Sequence, residues 1–339
     1  MPDRFVSTTI KRTQPDWYHT IRRYERSHLW KAIWQLINTF IPYFLVCILI
    51  YLSYIAGYSY WIILCLSILA AGLLVRIFIF FHDCAHQSFF TSRKANTVLG
   101  YVCGILTFTP YEEWRKSHGW HHNTFGDLDR RGIGDVWTLT AEEFRSASKP
   151  KRFWYRFFRN PFVLLCLGPA YLFLVSYRYP HKGSKRRQRN SVIFTNTAIA
   201  MIILVASLTI GFKAYALIQF PIIFFAGVIG VWLFYIQHQF EGVYWSRHDQ
   251  WDPIKASLHG SSYYKLPKVI RWFTGNIGLH HIHHLRSRIP NYNLQRACDD
   301  TKAFVDIEPL TLRKSITCLQ LKLWDEKGQK LVRFKSAYA

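Results

Sequence analysis

Apolar residues are concentrated in four long runs along the chain. The runs cover residues 36–57, 59–81, 191–211 and 215–237, and each is longer than twenty residues. Arg76 is the only Lys, Arg, Asp or Glu residue inside them. A helix needs about 20 apolar residues to cross a hydrocarbon core of about 30 Å, so each run can span a membrane. The pattern predicts an all-α integral membrane protein with four transmembrane helices.

The segments outside these runs predict smaller helical elements. Residues 98–109 form an apolar stretch that is too short to cross, which favours an interfacial or re-entrant helix. Residues 161–177 are borderline in length, and Pro169 disfavours a straight crossing. Residues 239–339 show weak helical periodicity. We therefore expect short interfacial helices and a helical cytoplasmic cap, all within a single domain covering residues 1–339.

Positive charge lies almost entirely outside the apolar runs. The chain has 43 Lys and Arg against 20 Asp and Glu, and its net charge is +23. Four spans would leave segments 1–35, 82–190 and 238–339 on one side of the membrane. The positive-inside rule then places these segments, with both termini, in the cytoplasm of a multi-pass cell-membrane protein. Because orientation explains the charge, we do not expect a nucleic-acid partner.

A basic, aromatic segment precedes the first span, and one charged residue lies inside the second. The basic arm 1–35 carries Trp17, Tyr18, Trp30 and Trp34, and we expect it to lie along the membrane. Arg76 lies inside the second run, where a charge is costly and often functional. It is expected to snorkel to the interface, to pair with Asp83 or another acid, or to contact a lipid headgroup.

Eight of the fifteen histidines form three short motifs, one H-x3-H and two H-x2-H-H. The motifs are His82 and His86; His118, His121 and His122; and His280, His283 and His284. Spacings of three and four place side chains on one face of a helix. Two spans separate the first two motifs from the third, so all three return to the same membrane face. They can therefore form one site.

Imidazole groups in this number predict a metal centre. Imidazole suits Fe, Zn, Cu and Ni, and eight nitrogen ligands are too many for one ion, so two ions are expected. Structural zinc sites are closed, four-coordinate and often use thiolates, which does not fit eight or nine histidines with no cysteine pair. Soluble di-iron enzymes use carboxylates and an E-x-x-H motif, and no such motif accompanies these histidine clusters. A histidine-rich di-iron site remains, and its position beside lipid suggests O2 chemistry on a lipid substrate.

The remaining histidines and the nearby acids are expected to have different roles. His238 ends the fourth span at the depth of His82, so we expect it to join the ligands, whereas His281 fits neither spacing and is expected not to bind. The isolated histidines have no expected metal role: His19, His28, His181, His248 and His259. Four acids are candidates to orient the imidazole rings: Asp83, Asp127, Asp129 and Asp135.

The histidine motifs and their flanks resemble the membrane fatty acid desaturases. The matching flanks are residues 76–90 (RIFIFFHDCAHQSFF), 134–137 (GDVW), 260–267 (GSSYYKLP) and 275–278 (GNIG). The similarity covers most of the chain and is greatest to the Bacillus-type acyl-lipid desaturases, which include Δ5 enzymes. The resemblance implies that the eight motif histidines bind two irons, with His238 as a ninth ligand. Stearoyl-CoA-type relatives have a water-holding Asn where this chain has Phe234, so the last ligand of the second iron stays open.

The resemblance also implies a reaction in which two electrons and O2 produce a cis double bond in a fatty acyl chain. We expect an acyl tunnel between spans two and four, lined partly by Phe78, Phe81, Phe234 and Tyr235. No Rossmann, flavin, haem or cytochrome b5 motif occurs in the sequence. A separate electron donor is therefore expected, a ferredoxin or flavodoxin, for which a basic face is suitable.

Two alternative functions stay open on the sequence alone. The same histidine motifs would serve a di-iron hydroxylase or ketolase acting on an alkyl or isoprenoid lipid. A membrane metal transporter or sensor is the alternative that is not an enzyme. Transporters place ionisable groups near the middle of several spans, and these spans contain almost none.

Overall fold

The computed structural model describes residues 15–304 and 307–338, and most of them are helical. The α-helices are α1 Asp16–Thr20, α2 Leu29–Ile55, α3 Tyr60–Ala85, α4 Arg93–Leu106, α5 Tyr111–Thr124, α6 Ala141–Ser146, α7 Lys149–Phe158, α8 Gly168–Leu174, α9 Arg186–Thr209, α10 Phe212–His238, α11 Pro253–Gly260, α12 Lys268–Phe273, α13 His280–Leu285, α14 Asn291–Asp299 and α15 Leu312–Thr317. The prediction of a mostly helical protein with four long apolar helices is confirmed.

Helices α2, α3, α9 and α10 are each long and apolar enough to cross a membrane. They coincide with the four predicted runs and form two hairpins. Gly57 and Gly211 have φ of 72° and 86° at the hairpin turns, a conformation that glycine adopts without a Cβ clash. Helix α2 begins seven residues before the predicted run. The few polar side chains in its first two turns have partners in the cap, such as the bond of 2.9 Å from Gln35 Nε2 to Asn291 Oδ1.

Helix α3 lies at the centre of the apolar helices. It packs against α2, α4 and α10. In its most apolar window 56% of the residues are buried, compared with 17% in α9. Outward-facing residues of α9, such as Leu204 and Leu208, are exposed. Among the four long helices, α3 and its neighbour α10 are therefore placed to contribute side chains to a shared interior site.

The segment after α7 bends instead of crossing as one straight helix. Lys149–Phe158 and Val163–Arg178 meet at an angle of 66°. The bend lies between Phe158 and Val163, before Pro169, so the expected effect of Pro169 on residues 161–177 stays a prediction. The histidines before and after this segment also meet in one site, which a complete crossing would prevent.

A small β-sheet departs from the all-helical expectation. It contains β1 (Leu139–Thr140), β2 (Leu323–Asp325) and β3 (Lys330–Val332), with β1 parallel to β2 and β2 antiparallel to β3. Periodicity could not predict strands this short. The sheet fixes the C-terminal segment against the residues that follow α5.

Aromatic residues of the N-terminal arm lie in two environments, the exposed surface of α2 and the surface of the cap. Trp30 and Trp34 are 79% and 63% exposed at the start of α2, as expected of residues that face lipid. Trp17 instead packs edge-on against Phe304, and the Arg286 guanidinium lies 4.1 Å from the centre of the Tyr18 ring. These two rings pack on the cap and remain partly exposed, so the expectation that the arm lies along the membrane stays a prediction for them. Residues 1–14 of the arm lie outside the described residues.

Arg76 is buried, and its partners are not those expected. Its Nε donates to Thr39 Oγ1 at 3.0 Å, its Nη1 donates to the carbonyl of Trp272, and its guanidinium lies 4.2 Å from the Trp272 ring centre. Asp83 bonds to Asn291 instead of Arg76. Arg76 thus joins α2 and α3 to α12 of the cap, through neutral groups that local sequence spacing does not reveal.

Candidate metal centre

The first histidine motif lies at the end of α3. His82 occupies the last turn, and His86 is the residue directly after the helix. Because α3 continues four residues past the predicted end of the span, the two rings point the same way, with centres 4.8 Å apart. Gln87 then turns the chain with φ of 58°. The i, i+4 arrangement predicted from the spacing is present.

Helices α5 and α13 each supply histidines to two different groups. In α5, His118 and His122 lie on one face, and His121 points to a neighbouring site. In α13, His283 points to the same site as His118 and His122, whereas His280 and His284 point to the same site as His121. In each H-x2-H-H motif the two histidines spaced by four share a group, whereas the middle histidine faces the other group.

The structure brings all nine predicted histidines together in two groups. The five-histidine group consists of His82, His86, His118, His122 and His283. The four-histidine group consists of His121, His238, His280 and His284. Within each group, one ring nitrogen per residue lies within 4.8 Å of all the others. This convergence of buried lone pairs is what a metal ion requires.

The distances between ring nitrogens fit metal binding. In the five-histidine group, His118 Nε2 lies 3.0 Å from His86 Nε2 and 3.1 Å from His122 Nε2. In the other group, His238 Nε2 lies 3.1 Å from the Nε2 atoms of both His121 and His280. Nitrogens at adjacent positions on one ion, each at about 2.1 Å, would lie about 3 Å apart.

Burial favours the neutral form of three imidazoles in the two motifs after α3. It lowers the pKa of His118, His122 and His280 well below the ordinary value, and the neighbouring imidazoles lower each pKa further. The Nε2 atoms of His82 and His284 are buried without a hydrogen-bond partner. A neutral ring with a free, buried lone pair is suited to hold a metal ion.

Two of the four candidate acids contact the histidine groups. Asp135 Oδ1 lies 2.5 Å from His121 Nδ1. Asp83 Oδ1 lies 3.4 Å from His82 Nδ1, and its Oδ2 accepts bonds of 2.8 and 2.9 Å from Asn291 N and Nδ2. Both acids are placed to orient a ring, as carboxylates commonly do for metal-binding histidines.

The expectation for the other two acids, Asp127 and Asp129, was wrong. Asp127 Oδ2 lies 2.7 Å from His248 Nδ1, and Asp129 Oδ1 accepts a bond of 2.6 Å from Arg247. Both acids therefore hold the loop around residue 247 instead of the site. A position shortly after the second motif does not determine which way a loop carboxylate turns.

The remaining histidines lie outside both groups. His281 is buried between the rings of Tyr263 and Phe304, and burial lowers its pKa to about 3. The five isolated histidines are all exposed: His19, His28, His181, His248 and His259. The distinction between motif and isolated histidines therefore agrees with the geometry.

A cavity of about 740 Å³ runs beside the two groups, between α3 and α10. His82, His118 and His280 form part of its wall. The predicted tunnel residues Phe78 and Phe234 also line it. Phe81 and Tyr235 do not, and their assignment was wrong. The Phe81 ring packs on Tyr111 and Trp114, and the Tyr235 hydroxyl bonds to the carbonyls of Cys318 and Leu321.

Two residues at the site were missed by the sequence reasoning. The Trp114 ring stacks on His118 with centres 4.2 Å apart and also lines the cavity. Trp114 precedes His118 by four residues in α5, so helical spacing carried a usable signal. Asn291 supports Asp83 from a distant part of the chain, and no local pattern connects these two residues.

Comparison with known proteins identifies the family. Residues 58–313 match the fatty acid desaturase family. A fatty acid desaturase of Bacillus subtilis is 42% identical over 328 residues, which cover 97% of this chain and 93% of that protein. The chain is also 28% identical to the chloroplastic sn-2 acyl-lipid omega-3 desaturase (ferredoxin) of Arabidopsis thaliana, over 73% of this chain and 57% of that protein.

A third relative is the sn-1 acyl-lipid omega-3 desaturase (ferredoxin) of Synechocystis sp. It is 27% identical over 67% of this chain and 63% of that protein. The chain thus spans somewhat more than half the length of these two longer relatives and nearly all of the Bacillus protein. Since the family match covers most of the chain and includes all three histidine motifs, the chain belongs to the fatty acid desaturase family and is an oxidoreductase.

Proposed function

We propose that the protein introduces a cis double bond into fatty acyl chains of membrane lipids, using O2 at two irons. The observation that carries this proposal is the pair of histidine groups in the wall of an apolar cavity between α3 and α10. The nine histidines that would hold the irons are His82, His86, His118, His121, His122, His238, His280, His283 and His284. Iron bound there would supply the oxidising power that removes hydrogen from an unactivated methylene.

The overall reaction consumes the acyl chain, O2, two electrons and two protons. Its products are the alkene and two molecules of water, so hydrogens and electrons balance. The role of the protein is to hold two adjacent methylenes beside both histidine groups, which is catalysis by positioning. His82 and His118 represent one group in the cavity wall, and His280 represents the other.

The substrate is bound through shape, because an alkyl chain offers no polar handle. Phe78, Trp114 and Phe234 enclose the cavity near the histidines. Lys116, Lys182 and Ser184 also line it, and they supply polar groups where an ester or headgroup would lie. We propose an acyl lipid as substrate because the plant and cyanobacterial relatives are named acyl-lipid desaturases. The Δ5 position rests on the resemblance to Bacillus-type enzymes.

We assign the electron supply to a separate ferredoxin or flavodoxin. No flavin, haem or nicotinamide motif occurs in the sequence, and two relatives carry ferredoxin in their names. An acidic donor would be attracted to the basic segments, which include Arg186 and Arg189. The same charge bias supports a cell-membrane location with these segments, the site and both termini in the cytoplasm.

The test is expression in a bacterial host that lacks the activity, with and without O2. We expect new unsaturated acyl chains in the membrane lipids only with O2, and about two irons per purified chain. The double-bond position is mapped on the isolated acyl chains. An alcohol or ketone product would instead support a hydroxylase or ketolase. An unchanged lipid profile from an iron-loaded protein supplied with a reduced donor would contradict the proposal.

A further inference from the structure

The inner part of the cavity follows one face of α10. Ile223, Ala226, Gly227, Gly230 and Phe234 line it along this helix. At a rise of 1.5 Å per residue, Gly230 lies about 12 Å and Ile223 about 22 Å along the helix from His238. This length exceeds half of a hydrocarbon core of about 30 Å, so the cavity is a passage suited to an extended chain.

The two ends of the passage differ in polarity. Polar side chains, among them Lys116 and Lys182, line it on the α5 side, and both are exposed. Apolar residues such as Leu74, Phe173 and Ile223 line its inner part. An acyl chain whose ester lies among the polar groups must direct its methyl end past the histidines toward this inner part.

Two glycines in the passage wall have different surroundings. A Cβ at Gly227 would lie 3.0 Å from Pro169 Cβ and 3.3 Å from the Phe173 ring, so this glycine permits close helix packing. A Cβ at Gly230 would meet no atom within 4 Å. Packing therefore does not require glycine at position 230, where its low helix propensity is a cost. A side chain there would occupy open space in the passage.

We propose that Gly230 is a specificity-determining residue, which keeps the passage open for the methyl-side part of the acyl chain. This inference rests on the proposed desaturase function. Gly230 lies on the inner side of the histidine groups, so a side chain at this position shortens the space beyond the oxidised carbons. The number of carbons between the new double bond and the methyl end is then limited by residue 230.

The test compares Gly230→Ala and Gly230→Leu with the wild-type chain in host membranes that contain several acyl-chain lengths. For each product, the carbons on the methyl side of the double bond are counted. In Gly230→Leu, we expect products with the longest methyl-side segments to fall by about 10- to 200-fold, as for an added methylene in a fitted apolar pocket. Products with shorter segments persist, and Gly230→Ala shows a smaller shift in the same direction.

Val228→Leu is the matched control, because residue 228 is on the same helix but does not line the cavity. It should leave the product distribution unchanged. A wild-type distribution in Gly230→Leu would overturn the inference. If the leucine variant fails to accumulate, Gly230→Ala decides the question, since alanine is the better helix former. An unchanged distribution in that variant would then overturn the inference. A wild-type chain that makes no alkene would contradict the proposed function instead.

Discussion

The five-histidine and four-histidine groups are built by the same two helices but have different surroundings. Helices α5 and α13 contribute to both groups, α3 completes the first, and α10 completes the second. Beside the first group, Trp114 stacks on His118. Beside the second, Phe125 and Phe234 pack against His238, with ring centres 4.0 and 5.4 Å away.

This difference assigns separate roles to the two proposed irons. Five imidazoles would leave an ion little room for a further ligand, whereas four leave more. Catalytic metal sites keep a position open for water or substrate. We therefore expect exchangeable ligands to bind mainly at the four-histidine group. Removing a ligand should disable either ion, whereas changes in the apolar rings around the four-histidine group should alter the rate without emptying it.

The largest effect is expected from His283→Ala. His283 belongs to the five-histidine group, and its Nε2 lies 3.0 Å from His122 Nε2. Without it, the group loses one of its buried lone pairs. We expect the iron content to fall from two per chain toward one and desaturation to become undetectable. Metal analysis of the purified protein and the lipid profile of the host measure the two effects.

His281→Leu is the control for this variant. His281 is in the same helix, two residues before His283, and lies outside both histidine groups. Leucine suits its buried surroundings, so the iron content and the activity should remain close to wild type. Wild-type-like activity in His283→Ala, or iron loss in His281→Leu, would contradict the assignment of these two residues.

The positions of His281 and His283 also show how much of the site could be predicted from the sequence. The H-x2-H-H pattern, shared with the second motif, left His281 out, although His281 also lies three residues before His284 and helical spacing alone does not exclude it. His238 was recognised by its depth at the end of an apolar run. Each histidine could therefore be selected from its own segment, without knowing how the segments pack.

Features that depend on contacts between distant segments were not predictable in this way. Arg76 donates hydrogen bonds to Thr39 and to the Trp272 carbonyl, and Asp83 accepts one from Asn291. These partners are far apart in the sequence, and no local pattern connects them. The assignment of Phe81 to the tunnel failed for the same reason. A helix face packed on α5 and a face that lines a cavity are equally apolar in sequence.

A smaller effect is expected from Asp135→Asn at the four-histidine group. The Asp135 carboxylate lies 2.5 Å from His121 Nδ1 and orients the ring. Asparagine preserves the shape but removes the charge. Loss of such a partner commonly lowers metal affinity or activity by about 10- to 100-fold. Initial rates and bound iron of the purified variant, measured with a reduced donor at several iron concentrations, test this expectation.

Asp129→Asn provides the comparison for Asp135→Asn. It removes the same charge from a carboxylate that bonds to Arg247 and to the backbone of His248, away from both groups. We expect its rate and iron content to remain near wild type. Equal losses of rate and iron in the two variants would indicate a general effect of removing a negative charge. They would contradict the ring-orienting role of Asp135.

The smallest effect is expected from Phe234→Leu, which changes the surroundings of the four-histidine group without removing a ligand. The Phe234 ring lies 5.4 Å from the ring centres of both His121 and His238 and also lines the cavity. Aromatic pairs contribute about 0.5 to 1.5 kcal/mol beyond the area they bury, so we expect a rate loss of roughly two- to tenfold.

Phe224→Leu is the control for Phe234→Leu, since Phe224 lies in the same helix but packs on Phe220 and Phe225, away from the histidines. The control should keep the wild-type rate, and both variants should keep two irons. Iron loss in Phe234→Leu would show that its ring holds the four-histidine group together. The two groups would then differ in stability, not in the access that they give to external ligands.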